Sequence, residues 1–106
     1  MNEYLIVLTT LPDDESCKNL ARLLIKRKLA ACVNILPPMT SIYEWKGELE
    51  QGTEQLLLIK TRRERYAELE NVIRDSHPYE IPEIIAVPVE HGLADYLKWI
   101  NDETAA

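Results

Sequence analysis

The sequence predicts an α+β fold, a ferredoxin-like βαββαβ sandwich with a short C-terminal helix. Three observations carry it: short runs of β-branched and apolar residues, two intervening stretches with helical spacing, and a strand-helix-strand-strand-helix-strand order. The chain has 106 residues. That length predicts one domain over residues 1–106, able to bury about two thirds of its extended surface.

Tyr4 to Thr10 alternates apolar residues on both faces, as a central strand does, and Pro12 ends it. Asp13, Asp14 and Glu15 supply an N-cap and acidic first turn, and Lys26, Arg27 and Lys28 close the helix with cations, predicting a helix near 14–29. Its inner stripe is Cys17, Leu20, Ala21 and Leu24. Residues 32–36 resume strand character; Pro37-Pro38 forces a bend before Ser41 to Lys46 continue, so the second strand is long and broken. Gly47 and Gly52 bracket a turn-rich stretch before a third strand, Glu54 to Thr61, which closes an antiparallel hairpin. Tyr66, Leu69 and Ile73 mark a second helix that stops at Ser76-His77-Pro78. Ile84 to Val89 form the fourth strand, and Leu93, Tyr96, Leu97 and Ile100 a short terminal helix.

Two helices cover one face of such a sheet. The third strand, however, carries Leu56 and Leu58 on one face and Leu57 and Ile59 on the other, and the first strand is apolar on both faces too. The second face therefore calls for another subunit, and a homo-oligomer is expected.

Apolar residues make up 46% of the chain and charged ones 28%, which excludes a disordered or low-complexity segment. The net charge is −6 with no long basic run, so no nucleic acid is expected as a partner. No apolar stretch reaches membrane-spanning length and the start lacks a secretion signal, so no membrane association and a cytoplasmic location are expected. Cys17 and Cys32 form no C-x-x-C pair and are read as reduced thiols.

The loop Ser76 to Glu83 concentrates ligand-type side chains. His77 offers an imidazole to a transition metal, and Glu80 and Glu83 offer carboxylates, although a rigid turn with a surface histidine explains the same residues. Cys32 is a small hydrophobe or a soft thiolate ligand; Cys17 belongs to the core, and His91 beside Gly92 is a solvated imidazole. Glu54 and Lys60 share one face of the third strand and form a polar site if that face is covered. Tyr43 and Trp45 point the same way on the second strand, as an interface pair or a ligand-stacking platform. No Walker, G-x-G-x-x-G, G-x-S-x-G or triad pattern occurs, so no catalytic residue and no enzyme activity are assigned.

Five motifs, Leu29 to Ile35, Thr40 to Gly47, Leu58 to Thr61, His77 to Ile84 and Tyr96 to Ile100, fall in the order and spacing that resembles the CutA family of divalent-cation tolerance proteins. The resemblance implies a cytoplasmic homotrimer built like the PII signalling proteins and linked to Cu(II) and other divalent cations, with no organic cofactor. Copper binding in some members is assigned to a cysteine at the end of strand one and a His-His pair before Pro-Tyr. Here Thr9 and Ser76 stand at the cysteine and the first histidine, leaving His77 alone. The metal ligands expected are His77, Cys32 and Glu83. The alternative is a signalling module binding a small anion or metabolite in clefts between subunits, through Tyr43, Trp45, Glu54, Lys60 and Tyr79. A scaffold for a protein partner is a third reading.

Overall fold

A computed structural model describes residues 3–105. Five strands and three α-helices follow in the order β1 (Tyr4–Leu11), α1 (Asp14–Lys26), β2 (Cys32–Ile35), β3 (Met39–Trp45), β4 (Glu48–Arg62), α2 (Tyr66–Ser76), β5 (Ile85–Pro88) and α3 (Ala94–Glu103). The sheet is antiparallel, ordered β2-β4-β1-β5, with β3 pairing the first half of β4. This is the expected ferredoxin-like arrangement, with β2 and β3 together taking the place of the broken second strand.

Register decides which residues share a face. Val7 lies opposite Ile59 and Ala86, and Leu5 opposite Thr61. Leu5, Val7, Leu57 and Ile59 are buried in one cluster with Cys17, Leu20 and Leu24 of α1 and Leu69 and Ile73 of α2. Both long helices thus cover this face, and the Cys17 thiol is pushed up by burial and by the nearby charges of Asp13 and Asp14, so it stays protonated and inert. Thr9 is also buried here, and its hydroxyl has no hydrogen-bond partner among the described residues.

The other face carries Ile6, Leu8, Leu56, Leu58 and Lys60, all half-buried, with Ile85 and Val87 exposed. Within the chain only its two ends are covered, one by α3 and the other by the loop that follows α2. Arg62 at the end of β4 donates from Nε to the Thr104 hydroxyl (2.8 Å) and from Nη2 to the Thr104 carbonyl (3.0 Å), holding the end of α3 there. Ile100 of α3 is buried but lies outside the main core cluster, as a residue on the opposite side of the sheet must. The rest of this apolar face has no cover from the described residues.

Two boundaries differ from expectation, and at each a lysine takes up left-handed backbone where the sequence does not announce it. The first helix stops at Lys26 rather than 29. Lys28 adopts φ 57° and donates to the Ile25 carbonyl, while Leu29 donates to Leu24 at 2.9 Å, a Schellman cap that turns both leucines into the core. The hairpin turn is Lys46-Gly47 alone, with φ of 53° and 82°, the two-residue geometry whose twist suits a hairpin. The third strand therefore begins at Glu48 rather than 54, and Gly52 lies inside it, opposite Ser41. The terminal helix runs ten residues.

Candidate functional site

The loop from His77 to Ile84 crosses the end of the uncovered face, and His77 fixes it there. Its Nδ1 accepts a hydrogen bond from the Tyr79 amide at 3.1 Å, so the ring proton resides on Nε2, which donates to the Thr10 carbonyl at 2.7 Å. The two rings of His77 and Tyr79 stand 4.7 Å apart between centroids. Tyr79 in turn donates its phenol to Glu54 Oε2 at 2.9 Å, tying the loop to β4.

A cleft of about 630 Å³ opens beside this loop, lined by Tyr43 and Trp45 of β3, Glu54 of β4, Thr10 of β1, and Tyr79, Glu80, Ile81 and Glu83 of the loop, with Ser41 and Ile42 completing it. Thr10 lies opposite Leu56, and Glu54 is two residues further along the same side of β4, so the cleft continues the uncovered apolar face. At its mouth Lys46 sits 3.8 Å from the Glu80 carboxylate and 5.6 Å above the Trp45 ring centroid.

Burial, then the hydrogen bond to Glu54 and the charge of Glu54, push the Tyr79 phenol up to about 12. A raised pKa means that the folded chain holds this proton more tightly than the unfolded one, whose phenol titrates near 10. The resulting stability is fully present below about pH 10 and is lost as pH rises from there through about 12. Titration of the tyrosinate absorbance is expected to show a final ionisation near 12 that disappears in Tyr79→Phe; an unchanged titration would place that proton elsewhere.

Of the residues expected at a cleft, four meet here: Tyr43, Trp45, Glu54 and Tyr79. Lys60 does not. It shares the face with Glu54 but lies six residues along β4, about 20 Å away, where its ammonium bonds the Asn34 side-chain oxygen and approaches Cys32 Sγ at 4.0 Å. Without Lys60 the lining carries three carboxylates and no cation, which does not suit the anion considered for it. The expected metal ligands are likewise distributed: Cys32 on the β2 edge, Glu83 in the cleft, and His77 with both ring nitrogens engaged. Among the described residues, no three His, Cys, Asp or Glu side chains converge to hold a metal ion. Thr10, Ser41, Ile42 and Ile81 were not expected at the site; alternation with Tyr43 and Trp45 points to Ser41, but a backbone acceptor such as the Thr10 carbonyl leaves no trace in sequence.

The family model described as CutA1 divalent ion tolerance protein matches residues 5–103. This chain belongs to the CutA1 family. It is 54% identical over 93 residues to the Protein CutA homolog of Xenopus laevis, covering 88% of this chain and 62% of the relative. With the human Protein CutA it shares 45% over 95 residues, covering 90% and 53%. The chain thus spans only about half to two thirds of the length of these vertebrate CutA proteins. The divalent-cation tolerance protein CutA of Thermus thermophilus is 42% identical over 99 residues, covering 93% and 96%.

The solved CutA1 structures agree. The divalent cation tolerance protein (Cut A1) from Thermus thermophilus superposes with a TM-score of 0.93 at 41% identity, covering 96% of this chain and 99% of that one. CutA1 from a psychrotrophic Shewanella species gives 0.96 at 38% identity, covering 99% and 98%. CutA relatives differ in compartment by name, one chloroplastic from Arabidopsis thaliana and one periplasmic from Archaeoglobus fulgidus. Among the described residues, no helix is long and apolar enough to cross a membrane.

Proposed function

We propose that this chain, acting as one domain, serves divalent-cation tolerance as a homotrimer without catalysis, and that it takes up divalent cations, Cu(II) among them, where copies meet. The observation that carries this reading is the uncovered sheet face, apolar along Ile6, Leu8, Leu56, Leu58, Ile85 and Val87 and bordered by Cys32 at one edge and Glu83 at the other. A closed ring of three joins unlike surfaces, so residues from opposite edges of one sheet can meet across a contact. Within one chain β2 and β5 are the two outer strands of the β2-β4-β1-β5 order and cannot share an ion.

Cys32 offers a soft donor and Glu83 a carboxylate with no ion-pair or hydrogen-bond partner among the described residues, a pairing that accommodates Cu(II) better than Mg²⁺ or Ca²⁺. His77 is the weaker ligand, because coordination through Nδ1 requires giving up the Tyr79 amide. Two unpaired cysteines suit the reducing cytoplasm, where we place this activity. Equilibrium dialysis with Cu(II) tests the ligand set: Cys32→Ser and Glu83→Gln are each expected to weaken binding by about tenfold or more. Unchanged binding in both would rule these two out as ligands.

A further inference from the structure

The cleft between β3 and the His77–Ile84 loop differs in kind from a metal cage. Its volume, about 630 Å³, lies within the range of small-molecule sites, roughly 300–1,000 Å³. Its aromatic walls, Tyr43 and Trp45, stand with the carboxylates Glu54, Glu80 and Glu83. A ring face attracts a cation through its quadrupole, and it also packs against methylene groups. Compact divalent ions gain nothing from that second property and part with their water reluctantly. An alkylammonium gains from both.

The chain already shows an ammonium docked in this manner. Lys46 Nζ lies 5.6 Å above the Trp45 ring and 3.8 Å from the Glu80 carboxylate, at the mouth of the cleft. Both side chains of that ion pair are largely exposed, so the pair is weak and a second cation can displace it. Half-buried in the cleft, Glu54 accepts only the Tyr79 phenol, while Glu83 on its exposed rim is unpaired among the described residues. The hairpin register repeats the pattern, setting Trp45 opposite Glu48 and Tyr43 opposite Glu50. Several carboxylates beside two aromatic faces match a ligand with more than one ammonium on an apolar chain.

We propose that this cleft binds a small organic diammonium ion of the alkanediamine class, with Trp45 and Tyr43 stacking its methylenes and Glu54 and Glu83 taking its charges. Glu83 is shared with the copper reading, so the two are told apart at Trp45, which lines the cleft and has no part in holding a metal. Calorimetric titration of the intact protein with putrescine, at ionic strength matched by NaCl, is expected to give saturable binding of one molecule per chain. The double variant Glu54→Gln/Glu83→Gln is expected to weaken it about tenfold, Trp45→Leu severalfold, and Lys46→Gln to tighten it a few-fold, each variant retaining the wild-type circular dichroism. Absence of saturable binding would overturn the proposal, as would a matching response to MgCl₂, or affinity unmoved by the Trp45 change. Trp45→Leu is expected to leave the copper count unchanged; if a folded Trp45→Leu lost copper as well, the cleft would be the metal site and the diamine proposal would fall.

Discussion

Leu58→Glu is expected to keep the proposed trimer from forming and to leave separate chains. Leu58 sits at the middle of the uncovered face, opposite Leu8 on β1 and Asn34 on β2, and Leu8 in turn lies opposite Ile85. Within one chain this position is only half-buried, so a glutamate there reaches water and leaves the helix-covered core intact. In an assembly that buries the face, the same carboxylate is stripped of water, with Lys60, two residues along β4 and already bonded to Asn34, as the one cation beside it among the described residues, and burying such a charge costs several kcal/mol per copy. Each contact of a closed ring carries that cost. Sedimentation or light scattering is expected to report the mass of one chain, with the circular dichroism of the wild type. A variant that kept the wild-type mass would show that copies do not meet along this face.

The second large effect is expected at His77. Replacing it by alanine removes the hydrogen bond to the Thr10 carbonyl and the acceptor for the Tyr79 amide together. Thr10 is buried, so its carbonyl loses its cross-loop partner with limited access to water. The expected loss of stability is about 2 kcal/mol, read as a shift in denaturant midpoint. Because Tyr79 hangs between His77 and Glu54, the cleft wall loosens too, and the tyrosine ionisation expected near 12 moves down toward the ordinary phenol value. His77→Asn tests the hydrogen-bonding account, since its amide can serve as donor and acceptor in the same loop. If His77→Ala kept full stability and lost copper instead, the imidazole would be a ligand and not a clamp.

Much of the fold was legible because its signals are local. Alternation pointed to β1 and β4, the Asp13 cap and the Leu20 and Leu24 stripe to α1, and the doubly apolar strands to a face in need of cover. The Asp13 side chain does accept from the Ser16 amide, at 2.8 Å. What misled were residues whose conformation contradicts their type. Lys28 and Lys46 both occupy left-handed backbone that sequence reading reserves for glycine, while Gly52 sits in an ordinary strand. The site was legible in part. Tyr43 and Trp45 share a strand face and Glu54 has the right parity, so their convergence followed from alternation. The distance between Glu54 and Lys60 was also implicit in their spacing, but parity alone placed both on one face and hid the length of the strand between them. The role of His77 could not be read, because its partners are a backbone carbonyl from β1 and a backbone amide of its own loop.

Native mass spectrometry of the intact protein, before and after Cu(II) is added, tests the central claim most directly, because it counts copies and ions in one spectrum. The expected result is a species of three chains that takes up copper in a fixed ratio, one ion per contact between copies. Single chains, or a trimer that stays bare or gathers copper without a fixed count, would contradict it.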